Sequence, residues 1–261
     1  MSALRPRQLP DHLLSRGVSS FTVGEAQVLL GASHPSTLRT LGRLHLAGQV
    51  FSPARGFYVV IPPEFRTWRV VPGELFIDAM MDASGRTYYV ALLSAAAMHG
   101  ASHQAPQVFQ VMCAPPLADR DVERVRLRFF SGAHVADAPT VARNVSTGRV
   151  RIATKELTVI DLVDRPDAGA GLNNVATILH EIGDLDGQAL ADLARRRGRT
   201  LVRRVGWMVE RFGSCESLDP LRHAAELDRG EPVLLRAGAA RRGAADPRWG
   251  VRVNTAVEQD L

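Results

Sequence analysis

FTVGEAQVLLGASHPSTLRTLGRLHLAGQVFSPARGFYVV, residues 21–60, carries two helix signatures and one hairpin signature in immediate succession. Thr22 and Glu25, three apart and ahead of an apolar run, form a capping box: the hydroxyl accepts from the Glu25 amide while the carboxylate reaches back. This predicts a helix starting at Val23, with Val23, Ala26, Leu29 and Leu30 on one side and Gly31 ending it. Ser33 offers a second N-cap, and Pro35 is tolerated in a first helical turn. The second helix is expected to run to Ala47, where Gly48 stops it. Val50 to Ser52 and Phe57 to Ile61 are β-prone runs around the turn residues Pro53, Ala54, Arg55 and Gly56, which predicts a β-hairpin. Two short helices, a tight connection and a hairpin with an arginine at its tip make a winged helix-turn-helix, and Leu9 to Ser15 can supply its first helix.

On the second helix, Leu38, Leu41 and Leu44 repeat at threes and are expected to pack inward. Ser36, Arg39, Thr40 and Arg43 then form the outward stripe at i, i+3, i+4 and i+7. Side chains of these types hold phosphates or read base edges, and a helix N-terminus attracts phosphate by itself. Arg55 on the wing can reach backbone or a minor groove. The alternative is a surface helix with ordinary solvated arginines, or a winged helix used for protein contacts. Gly42 in a helix interior costs about 1 kcal/mol relative to alanine, so it implies the close approach of another backbone.

The charge distribution bears on this choice. Up to Val70 eight arginines face Asp11, Glu25 and Glu64, so the whole formal excess of +5 lies in the first quarter of the chain. The remaining 24 bases and 24 acids cancel. Lys155 is the only lysine. A GC-rich genome accounts for the choice of arginine but not for its clustering, and guanidinium suits phosphate and guanine edges. Duplex DNA is the expected partner of residues 1–70.

Taken whole, the chain has the composition of a globular protein, 46% hydrophobic and 23% charged, and 261 residues allow one or two domains. No apolar run approaches the roughly 20 residues of a membrane span, and Arg5 and Arg7 are not followed by the apolar core of a secretory signal. Cys113 and Cys215 show no pairing pattern, so a cytoplasmic setting is expected. From residue 71 to 261 the charge balances. Leu75 to Met81 and Ala91 to Met98 read as short helices, Val108 to Cys113 and Val125 to Phe129 as strands. Thr154 caps a helix through Val163, and the faces Leu172/Val175/Ala176/Leu179/Ile182 and Leu201/Val205/Met208/Val209/Phe212 are helical. The expected fold class is α+β: a winged helix over 1–70, then a larger mixed α/β domain over 71–261.

Catalytic signatures are scarce in that larger part: there is no phosphate-binding glycine loop, GxSxG or HExxH. His99 and His103 have ligand spacing, but Gly100 interrupts the helix, so capping or core roles are expected and no metal or cofactor is. Asp184 and Asp186 in GDLDG resemble paired nucleotidyltransferase carboxylates without the Gly-Ser turn that motif needs; a connecting turn with Asp186 as N-cap is expected. Asp161 and Asp164 sit on an apolar helix, where a buried hydrogen bond or ion pair is the ordinary role. Cys215 has no evident base beside it. In RRRGRTLVRR, residues 195–204, the arginines form either a solvated face paired with Glu181, Asp184, Asp186 and Asp192, or a contact surface through Arg195, Arg196, Arg199 and Arg203.

Taken in order, the winged helix ending LHLAGQVFSPARGFYVV, then YYVALLSAAAMHGASHQAPQVFQVMC, IATKELTVIDLVDRP, ADLARRRGRTLVRRVGWMVERFG and DPRWGVRVN resemble AbiEi-type antitoxins of AbiE toxin-antitoxin systems. The resemblance runs from about Phe21 to Asn254. It implies a winged helix that binds repeats in its own promoter and a carboxy-terminal domain that counteracts a toxin of nucleotidyltransferase type without catalysis of its own. By position the implied DNA-facing residues are again Ser36, Arg39, Thr40, Arg43 and Arg55. Two other classes fit the residues: a winged-helix transcription factor whose large domain senses a small molecule, marked by a deep apolar pocket, and an enzyme tethered to DNA, marked by carboxylates converging on a cleft.

Overall fold

A computed structural model describes residues 4–101, 107–227 and 230–259. The amino-terminal elements follow as α1 (Leu9–Ser15), β1 (Ser20–Thr22), α2 (Val23–Leu30), α3 (His34–Leu46), β2 (Val50–Ala54) and β3 (Phe57–Val60). The capping box closes as the spacing predicts: the Thr22 amide donates to Glu25 Oε2 at 2.6 Å, and the Glu25 amide donates to Thr22 Oγ1 at 3.3 Å. Gly31 at φ +57 and Gly48 at φ +67 turn the chain out of α2 and α3 in the left-handed region, which only glycine adopts without strain.

Strand β1 is an addition to the sequence reading. It has three residues, one of them the helix cap Thr22, too few to show a period of two. It pairs antiparallel with β3, and the sheet order is β1-β3-β2. The hairpin turn is also tighter than expected. Ala54 pairs with Phe57, which leaves only Arg55 and Gly56 in the turn, and Pro53 is accommodated where the β2–β3 register shifts. Leu9, Leu13, Phe21, Ala26, Leu30, Leu41, Leu44, Val50 and Val60 meet in one buried cluster beneath these elements.

The chain divides into two compact units. The first holds residues 4–90, 107–137 and 142–151; the second holds 91–101, 138–141, 152–227 and 230–259. The first unit therefore continues past the division at residue 70 that the charge pattern suggests. Phe51 of β2 and Phe76 are both buried and meet edge to face with centroids 5.4 Å apart. Apolar burial carries the packing across the point where the charge changes.

Beyond residue 70 come α4 (Ile77–Ala83), β4 (Thr87–Val90), α5 (Leu92–Met98), β5 (Val108–Ala114), β6 (Arg120–Val122), β7 (Val125–Phe130), β8 (Thr140–Val145) and β9 (Gly148–Ala153). Six of these strands form one mixed sheet in the order β6-β7-β5-β4-β9-β8, with β5 parallel to β7 and antiparallel to β4. Strands β8 and β9 escape a sequence reading because β8 is exposed over most of its length and shows no apolar alternation.

In the second unit α6 (Lys155–Asp164), α7 (Leu172–Glu181), α8 (Gly187–Arg197), α9 (Arg199–Phe212) and α10 (Asp219–Glu226) pack together. Short strands β10 (Asp184–Leu185), β11 (Ser214–Cys215), β12 (Val233–Leu234), β13 (Ala245–Asp246) and β14 (Val251–Arg252) join them. Thr154 caps α6 by accepting from the Leu157 amide at 3.2 Å. The order of strands followed by helices makes the chain a mixed α+β fold. Among the described residues no helix is long and apolar enough to cross a membrane.

Candidate nucleic-acid interface

Helix α3 is the centre of the cationic amino-terminal surface, and its rotation differs from the sequence reading. Thr37, Thr40, Leu41 and Leu44 face inward; Thr40 is only 6% exposed, whereas Leu38 is 41% exposed. The reason is geometric. Leucines three apart drift by about 60° per step around a helix of 3.6 residues per turn, so 38, 41 and 44 spread over about 120°, and the elements packed against α3 decide which of them are covered. The core takes 37, 40, 41 and 44, at i, i+3, i+4 and i+7, and Leu38 falls about 110° from the centre of that stripe. Thr40 is thus corrected from the outward stripe to the packed side. The outward face consists of Pro35, Leu38, Arg39, Gly42, Arg43 and Leu46, all exposed, with Ser36 half-buried at its margin.

Several contacts set this face. Ser33 has the extended backbone of an N-cap, but its side chain makes no capping hydrogen bond. At the other end Arg69 donates to the carbonyls of His45 and Leu46 at 3.2 and 3.3 Å, placing a cation on the negative end of α3. Arg69 itself has φ +60. This role is invisible in sequence, since Arg69 lies more than twenty residues beyond the helix. A groove of about 430 Å³ beside α3 is lined by Pro6, Arg7, Thr40, Arg43, Leu44, Ala47 and Gln49. Arg7 therefore joins the same surface as Arg43.

The hairpin is tied to α2. The Val23 amide donates to the Gly56 carbonyl at 3.0 Å, and the Ser52 hydroxyl lies 2.8 Å from the Ala54 carbonyl and 2.9 Å from that of Phe57. Arg55 stands exposed at the tip of this braced turn. If the hairpin contacts duplex DNA, Arg55→Ala is expected to reduce affinity evenly on a specific and a scrambled duplex, because a tip arginine would touch backbone or read groove width. Loss confined to the specific duplex in a mobility-shift comparison would assign Arg55 to base reading instead.

The carboxy-terminal arginines divide by burial. Arg195, Arg196 and Arg199 are exposed. Arg203 is corrected from the expected contact surface to the interior: it is 3% exposed and donates to the Glu231 carbonyl at 3.0 Å. Residues around Glu231 and Gly250 cover that side of α9, which a helical pattern by itself cannot foresee. Arg204 donates to the Leu234 carbonyl at 2.7 Å, and Arg197 pairs with the fully buried Asp161 at 2.6 Å.

The residues weighed for chemistry have structural partners. Asp186 accepts from the Gln188 and Ala189 amides at 2.8 and 3.1 Å as the N-cap of α8, while Asp184 accepts from the Ser214 hydroxyl. Asp164 joins Asp161 on Arg197. The His99 ring lies 2.7 Å from the Ala153 carbonyl, and His103 lies outside the described residues. Burial pushes the thiols of Cys113 and Cys215 up in pKa, away from the thiolate form. Among the described residues no group of three or more His, Cys, Asp or Glu side chains could hold a metal ion.

Comparison with solved structures gives the RV2827C protein from Mycobacterium tuberculosis, which superposes with a TM-score of 0.69 at 15% identity over 94% of this chain and 89% of that one. The likeness is one of fold. An antigenic nucleotidyltransferase-like protein from Paracoccidioides brasiliensis reaches a TM-score of 0.32 at 10% identity over 56% of this chain and 94% of that one. No curated protein sequence matches the chain. The family model of the AbiEi antitoxin C-terminal domain matches residues 89–211, from the end of β4 nearly to the end of α9. Those residues are thus similar to the C-terminal domain of AbiEi-type antitoxins.

Proposed function

We propose that this protein is a DNA-binding antitoxin that regulates its own promoter and counteracts a toxin of nucleotidyltransferase type in the cytoplasm. In this reading residues 1–70 are a winged helix-turn-helix and residues 71–261 the antitoxin part, which acts through contact and not through catalysis. The observation that carries it is the pairing, on one chain, of an antitoxin domain match over residues 89–211 with an amino-terminal helix whose exposed face presents Arg39 and Arg43. The element order α1-β1-α2-α3-β2-β3 with sheet order β1-β3-β2 is the order expected of a winged helix and supports the reading. So does the location of the whole charge excess in the first seventy residues, since phosphate neutralisation dominates affinity for duplex DNA.

Two measurements on the full-length chain test it. A mobility shift on the DNA upstream of its own coding sequence should show salt-dependent binding tighter than to a scrambled duplex. Co-expression with a nucleotidyltransferase encoded next to it should restore growth. For the second activity the exposed arginines at the end of α8 are the contact surface. Arg195→Glu combined with Arg196→Glu should weaken rescue at least tenfold in plating efficiency, on the order of the cost of opposed charges, and leave promoter binding intact. Undiminished rescue by that variant would move the toxin contact elsewhere on the domain. The full-length chain is the right material because separation at residue 70 would uncover Phe51 and Phe76.

A further inference from the structure

Leu38 has no core to serve. It is exposed on α3, takes no part in the buried cluster that Leu41 and Leu44 join, and stands next to Arg39 in the amino-terminal half of the helix. One turn further on lies Gly42, where an added Cβ would meet nothing within 4 Å. Among the described residues nothing crowds the position of the missing side chain, and glycine in a helix interior is unfavourable relative to alanine. The outward face of α3 thus has an apolar tip, a gap one turn later, and guanidinium groups of Arg39 and Arg43 along its other edge.

The charge decides what such a face can receive. A second copy of this chain on the same face would bring arginine against arginine, and like charges in contact are strongly unfavourable. A polyanion fits. In the major groove of duplex DNA the bases offer donors, acceptors and a single apolar feature, the C5-methyl group of thymine. Recognition helices of this type contact base edges through their amino-terminal residues.

We propose that Leu38 packs against a thymine methyl in the major groove and that Gly42 supplies the clearance for α3 to approach that closely. This rests on the DNA-binding reading above and adds to it the base that is read. An A·T pair lies under the amino-terminal half of α3, with Arg39 and Arg43 engaging neighbouring base edges or phosphates.

The experiment compares the upstream promoter fragment synthesised with thymidine and the same fragment with deoxyuridine throughout, which removes only the C5-methyl groups. The full-length wild type should bind the deoxyuridine duplex about fourfold more weakly, the effect of one methyl group withdrawn from an apolar contact. Leu38→Ala should bind both duplexes alike, near the wild-type affinity for the deoxyuridine form. Leu38→Met, which keeps an apolar tip, should retain the preference for thymidine. Gly42→Ala should melt at a higher temperature than wild type and yet bind the promoter less tightly.

Equal binding of both duplexes by the wild type overturns the proposal while leaving DNA binding in place. So does a preference for thymidine that survives in Leu38→Ala, or promoter affinity unchanged in Gly42→Ala. Binding by the wild type to neither duplex above a scrambled one overturns the DNA-binding reading itself, and the assignment of Leu38 with it.

Discussion

Replacing Arg39 and Arg43 together by alanine is expected to weaken binding to the upstream promoter fragment by about thirtyfold or more. Each base-reading side chain contributes roughly 1 to 3 kcal/mol of discrimination, and each lost phosphate contact lowers the salt slope by about one unit. Both side chains are exposed and lie off the packed stripe of Thr37, Thr40, Leu41 and Leu44. The double variant should therefore keep the wild-type melting temperature, which separates loss of contact from loss of fold. Mobility shifts at several salt concentrations, on the promoter and on a scrambled duplex, give both quantities. Unchanged affinity would remove the assigned face of α3 from the interface.

The second large effect concerns the unit that carries most of the antitoxin domain. Trp249 is 1% exposed, its indole N–H donates to Glu210 Oε2 at 2.7 Å, and its ring lies against α9 at Gly206. A Cβ at Gly206 would stand 2.1 Å from that ring, so the glycine is needed for the close approach of an aromatic face. Trp249→Ala should destabilise the protein by about 3 to 5 kcal/mol, the usual cost of truncating a large buried aromatic. Gly206→Ala should cost roughly 1 to 3 kcal/mol through overpacking. Urea unfolding followed by far-ultraviolet circular dichroism measures both, and a loss below about 1 kcal/mol for Trp249→Ala would show that this packing is dispensable.

These two sites differ in how far the amino-acid sequence reveals them. The helices of the amino-terminal region are legible because their signals are local: Thr22 and Glu25 close their box within one turn, and Gly31 and Gly48 stop their helices at adjacent positions. Asp186 as a cap of α8 and Thr154 as a cap of α6 are legible for the same reason. The pieces VGWMVERFG and DPRWGVRVN are readable as separate stretches, but nothing in either says that Trp249 rests on Gly206, more than forty residues away. Arg203 illustrates the same limit. Its place within an arginine-rich run suggests a surface, and only the covering segment around Glu231 makes it interior.

What the sequence determined by itself is therefore the local order of elements at the amino end, the concentration of positive charge there, and the family resemblance carried by the order of its motifs. Each depends on residues within a few positions of one another or on composition. Tertiary structure alone decided the rotation of α3, which turns Thr40 inward and Leu38 outward, and the service of Arg69 as its distant cap. It alone decided the continuation of the first unit past residue 70. Helical periodicity names a face only to within about half a turn, and the choice within that margin belongs to the surfaces that pack against it. For α3 those are the neighbours of Leu41 and Leu44 in the buried cluster, which leave Leu38 exposed.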